Sequence, residues 1–168
     1  MADIIELIYA DHDWFRRQFF YLDEARTDEE LAAAWEPLAI RLDTHAQAEE
    51  TVFYPALLRK GGEAGDPEDE TEDAIRDHNK IRDAVRESRK HRVGSEDWFA
   101  AVAHARAENG EHLEEEEREG LPDFRKNATA ALKHRLAMEW IRFHYEHPLG
   151  QGVDDRDKDP QDYVEDNS

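Results

Sequence analysis

HAQAEETVFYP, residues 45–55, and HLEEEEREGLP, residues 112–122, are two copies of one pattern, H-x-x-x-E-E-x-x-x-x-P. Every matched position is offset by 67 residues, which marks a chain built from two related units. Within each copy the histidine and the first glutamate stand four apart. On an α-helix such residues share one face, about 6 Å apart along the axis. His45 with Glu49, and His112 with Glu116, can therefore address a common centre. An Asp-His pair precedes each copy, Asp11-His12 and Asp77-His78, offset by 66 residues. Each unit then reads as a helical hairpin offering one histidine from its first helix and a histidine plus a glutamate from its second.

Outward from these motifs, apolar residues recur at three- and four-residue spacing and strand signals are scarce, so the chain is expected to be all-α. The first helix should run from about Asp3 to Glu24, with Ile5, Ile8, Phe15, Phe19 and Leu22 on one stripe and His12 in its middle. Thr27 and Glu30 match a capping box opening a second segment to about Lys60, which Pro37 should bend or interrupt. GGEAGDPEDE, residues 61–70, reads as a solvated connector. A third helix is expected from about Glu72 to His91, with Ala74 or Ile75, His78, Ile81 and Val85 inward. A fourth begins at about Glu96 behind a Ser95 cap and carries Trp98, Ala101, Ala105 and His112 along one side. A fifth runs from about Thr129 to Tyr145. The expected architecture is an antiparallel up-down four-helix bundle with a fifth C-terminal helix, over residues 1–147. Residues 148–168 are polar and acidic and should form a flexible tail unless a partner clasps them.

The chain has 168 residues, enough for one domain with an ordinary core. Its net charge of −20 argues against nucleic acid and anionic membranes as partners, because both are bound through basic surfaces. Having no cysteine, it cannot form disulfides, thiolate zinc sites or iron–sulfur clusters, so any metal is held by nitrogen and oxygen. The opening MADIIELIYADHDW carries acids and no long apolar run, which reads as neither a secretory signal nor a membrane span, and a cytoplasmic location is expected.

Four imidazoles and two carboxylates in a bundle core cannot be buried bare, since isolated charges and unpaired polar groups are costly there. Metal relieves that cost. Two first-row ions sharing carboxylate oxygens and an oxo or hydroxo bridge would use all six groups, and this donor set suits iron, zinc or manganese. A ferritin-like site would instead carry Glu-x-x-His at three-residue spacing. The pattern resembles the hemerythrin-like, or HHE cation-binding, family, whose signature is a histidine followed by His-x-x-x-Glu, given twice. The resemblance spans about residues 3–126 and fills all six positions: His12, His45, Glu49, His78, His112 and Glu116. It implies a four-helix bundle around two iron ions, with Glu49 and Glu116 bridging and the histidines terminal. Oxygen-carrying members have a fifth histidine four residues from another on the third helix. Ala74 and Arg82 stand there in this chain, which argues against simple reversible oxygen storage.

Tyr54, placed before Pro55, is the candidate for the vacant position. A residue before proline is pushed from helical geometry, so its phenolate is expected either to reach iron or to be a buried tyrosine whose hydroxyl finds a backbone partner. Tyr9 is a weaker candidate. Glu108 is a candidate to orient a ligand imidazole. Asp11 and Asp77 read as surface salt links, and Glu50, Glu115 and Glu117 as parts of solvated faces. Trp14, Phe15, Phe19, Phe20 and Trp98 read as core. No catalytic group outside the metal shell can be named. The function expected is reaction of a di-iron centre with oxygen species, foremost decomposition of hydrogen peroxide. The alternative is an oxygen- or iron-binding sensor or store, with the acidic tail meeting a protein partner.

Overall fold

A computed structural model describes residues 1–62 and 65–168. Glu63 and Ala64, part of the expected connector, lie outside the described residues. Among the described residues the chain is helical, without strands. The long helices are α1 (Ile4–Glu24), α2 (Asp28–Ala48), α4 (Pro67–Ser88) and α5 (Glu96–Arg118), with shorter α3 (Tyr54–Lys60) and α6 (Gly120–Asn127) after α2 and α5. They are followed by α7 (Ala130–Glu146) and α8 (Pro160–Asn167). None is long and apolar enough to cross a membrane.

The caps stand where the sequence puts them. Thr27 and Glu30 close a reciprocal capping box on α2, Ser95 accepts from the Trp98 amide, and Thr129 caps α7. Asp66, in the left-handed region at φ 44°, caps α4 and lets it begin at Pro67, earlier than the periodicity suggests. Pro37 does not interrupt α2. Its ring faces solvent, and burial of Leu31, Trp35, Leu38 and Leu42 on the opposite side outweighs one lost hydrogen bond.

Two apolar clusters stack along the molecule. One gathers Ile4, Ile5, Ile8, Phe53, Leu57, Ile75 and Phe124 with Trp140 of α7. The other gathers Phe15, Phe19, Trp35, Leu38, Ile81, Val85 and Trp98. On α1 the order Ile8, His12, Phe15, and on α4 the order Ile75, His78, Ile81, place a histidine at the seam between the clusters. Phe20 is the exception to the expected aromatic core: it is 58% exposed, one position round the helix from buried Phe19.

The expectation of a flexible tail also needs correction. Residues 153–167 lie against α4 and the start of the π-helical turn described below, because scattered acids and amides find specific partners. Arg86 pairs with Asp157 at 2.6 Å and donates to the Asp155 carbonyl at 2.7 Å. Asn79 makes both hydrogen bonds to the Lys158 backbone, at 2.7 and 3.0 Å. Two apolar side chains, Tyr163 and Val164 of α8, are buried in the first cluster.

Candidate metal centre

After α2 the chain makes one π-helical turn, Glu49–Phe53. The Tyr54 amide donates to the Glu49 carbonyl five residues back, and Tyr54 itself keeps helical angles (φ −62°, ψ −37°). Pro55 therefore does not push Tyr54 out of the helix. The widened turn absorbs the missing proline amide instead, a device common at functional sites. It leaves Glu49 and Glu50 both buried.

The six motif side chains meet at the seam between the clusters, each at most 3% exposed. Glu49 is their hub. Its Oε1 lies 2.9 Å from His45 Nε2 and 4.0 Å from His12 Nε2, while Oε2 lies 3.1 Å from His78 Nε2 and 3.6 Å from His112 Nε2. Two groups result, His12–His45–Glu49 and Glu49–His78–His112, each with ligand atoms within 4.8 Å of one another. One carboxylate thus turns one oxygen to each pair of imidazoles. Glu116 joins from α5, with Oε2 3.3 Å from His12 Nε2. Tyr54 is in the same cluster: its hydroxyl donates to Glu116 Oε1 at 3.1 Å and to Glu49 Oε2 at 3.4 Å, so its partners are carboxylates and not backbone.

Carboxylates also hold the outer faces of the rings. His12 Nδ1 lies 2.8 Å from Glu117, His45 Nδ1 3.0 Å from Asp11, and His78 Nδ1 2.9 Å from Glu50. Such partners fix a ring's tautomer and aim Nε2 at the centre. Three expectations are overturned here. Asp11 is buried against His45, as well as pairing with Arg41 at 2.6 Å, because one step round α1 from His12 faces α2. Glu50 and Glu117 turn inward where solvated faces were expected. Glu108 binds His104 and Lys80 instead of a ligand ring. Asp77 does form a salt link, with Lys80 at 2.8 Å. The signal that could have found Glu50 and Glu117 was already in the motif: the second glutamate is repeated in both copies.

Electrostatically the cluster calls for positive charge. Burial alone would raise the Glu49 carboxyl, but the facing imidazoles of His45, His112 and His78 outweigh it and hold it well below the usual range. Burial likewise opposes charge on His45, yet Glu49 and Asp11 drive its pKa up to about 10. Burial and the neighbouring Glu116 and Glu49 push the Tyr54 phenol well above its ordinary value. Despite these short distances, His12 Nε2, His45 Nε2, Glu49 Oε1 and Glu116 Oε2 are buried without an aligned hydrogen bond. Inward-facing lone pairs left unsatisfied in a dry core fit metal cations, which would take all four at once.

Aromatic walls close the site. Phe15 and Trp140 set their edges against the His45 ring, at centroid distances of 5.1 and 5.5 Å. Tyr9 packs against the His12 ring at 6.1 Å, as wall. The remaining histidines, at 91, 104, 134, 144 and 147, stand outside the cluster; His144 packs on Trp140.

A helical fold whose buried seam carries duplicated His and Glu donors defines a cation-binding helical protein. The family model of the hemerythrin HHE cation-binding domain matches residues 3–124, and the chain belongs to that family. A search of curated proteins and of solved structures returns no match.

Proposed function

We propose that the four long helices form an up-down bundle holding two iron ions, and that this centre reacts with oxygen species, foremost hydrogen peroxide. His12 and His45 would hold one ion and His78 and His112 the other, with Glu49 shared, Glu116 assisting, and Tyr54 a further oxygen donor. The observation that carries the reading is Glu49, whose two oxygens each face a separate imidazole pair. A bound iron pair supplies one- and two-electron exchange with peroxide or oxygen. The protein's own groups prepare that chemistry. With metal bound, Asp11, Glu50 and Glu117 would hold a proton on Nδ1 and leave the Nε2 lone pair of their histidines free to donate. Phe15 and Trp140 exclude bulk water beside His45. Ala74 and Arg82 stand where a fifth histidine would have been four residues from His78; Arg82 is occupied by Glu50 at 2.8 Å. With anionic oxygens in place of that imidazole, the donor set favours the ferric state and peroxide chemistry over oxygen carriage.

Metal analysis of the purified protein should find about two irons per chain, and added peroxide should release oxygen gas. Iron without gas, but with a reversible oxygen-dependent spectrum, would favour the second reading, an oxygen or iron sensor or store. One observation supports that alternative: Lys158 of the C-terminal segment lies 2.7 Å from Glu50, so the segment that could meet a protein partner touches a group that orients His78.

A further inference from the structure

The centre is walled by Phe15 and Trp140 beside His45, by Glu50 and Arg82 beside His78, and by Glu117 and Arg16 beside His12. Between α4 and α5 lies a cleft of about 200 Å³, whose lining includes His112 and Glu116. The other lining side chains are acidic, apart from Ala74 and Arg118. Asp77 and Asp73 have outward partners in Lys80 and Arg76, and Glu119 pairs with Arg118 at 2.8 Å. Among the described residues Glu70 has no such cation: it accepts the Gly120 amide at 3.1 Å and faces Glu119, and burial together with Glu119 pushes its carboxyl up to about 8. Two facing carboxylates are stable only with a proton or a cation between them. At the inner end stands Glu116, 3% exposed, with Oε2 lacking a hydrogen-bond partner. A negative mouth above a buried carboxylate with one unsatisfied oxygen is a graded attraction for one kind of solute.

We propose that this cleft is the route by which divalent cations reach the His/Glu cluster, with Glu70 and Glu119 the first pair a cation meets and Glu116 and His112 the pair that receives it. The proposal rests on the metal-binding reading above and adds the path and its selectivity. A cleft lined by one sign of charge concentrates counter-ions and raises their association rate, an effect that salt screens. The same field turns anions away, while uncharged peroxide and oxygen pass.

The test is the rate at which metal-free protein takes up cobalt(II), read from the visible absorption of the bound ion at several salt concentrations. The single variants Glu119→Gln and Glu70→Gln, and the double variant, are compared with Glu24→Gln/Glu29→Gln, which replaces two carboxyl groups at exposed positions of α1 and α2. Expected is uptake slowed roughly tenfold in the double cleft variant, with weaker salt dependence and an unchanged final cobalt content. Glu119 is exposed, so its single variant keeps the test sound should changes at Glu70 disturb folding. Equal slowing in the Glu24/Glu29 control, or unaltered uptake in all variants, overturns the route and leaves the metal centre standing. Failure of the unsubstituted protein to bind cobalt at all overturns both.

Discussion

The two copies of the motif bring their histidine and glutamate to the same buried seam and leave the helix differently. In the first copy the helix passes through a π-helical turn into α3, and both glutamates of the motif are buried. In the second, α5 stops at Arg118, Glu119 breaks the helix at φ −120° and ψ −74°, and Glu117 stays partly exposed beside Arg16. Glu49 approaches all four imidazoles, whereas Glu116 approaches His12 alone. The halves also cross-brace: Glu50 of the first holds His78 of the second, and Glu117 of the second holds His12 of the first. Duplication therefore supplied the donors, and unequal helix exits gave one carboxylate the central place.

The largest expected effect breaks that inequality directly. Glu49→Gln should reduce bound metal from about two ions per chain to almost none, while Glu116→Gln retains a measurable share, as read by metal analysis after desalting. Equal losses would mean the two carboxylates are interchangeable. Next in size is the contrast between Glu50→Ala and Glu117→Ala. The first strands Arg82, which is 1% exposed, and should cost about 3–5 kcal/mol in urea unfolding. The second loosens a partly solvated pair and should cost about 1 kcal/mol or less.

Tyr54→Phe sharpens the comparison at the position where the second copy has Leu121. It removes a hydroxyl shared by Glu49 and Glu116, so stability should fall by about 1 kcal/mol. If the phenolate binds ferric iron, the visible band of the iron-loaded protein should also move. A pH-dependent effect lies at the second copy's break. Glu70 is raised from its ordinary 4.5 to about 8, first by burial and then by Glu119. A raised carboxyl favours the fold while protonated, so its contribution is whole below about 4.5 and is lost as pH rises through about 8. Glu70→Gln should flatten the pH dependence of the urea midpoint over that window.

Much of this was legible in sequence. The doubled spacing picked out the six side chains that meet at the seam because a four-residue step on a helix is a fixed geometry, and the apolar stripes of α1 and α4 located the seam. The inward place of Asp11 was not legible, and the inward turn of Glu50 showed only as a repeated second glutamate with no partner to name. Each depends on a neighbouring helix supplying the partner, and periodicity within one helix carries no information about its neighbours. Tyr54 was found for the wrong reason: proximity to Pro55 drew attention to it, but the π-helical turn, and not an escape from helical angles, brings it to the centre. The tail escaped composition altogether, since a few paired groups ordered it without a large apolar surface.

That tail has a consequence for how such proteins diverge. The family match ends at residue 124, yet Trp140 packs on His45 and Lys158 reaches Glu50 from beyond that limit. An appended stretch can thus alter the surroundings of the His/Glu cluster while its six motif side chains stay untouched, and chains with identical motifs but different endings need not behave alike at that cluster.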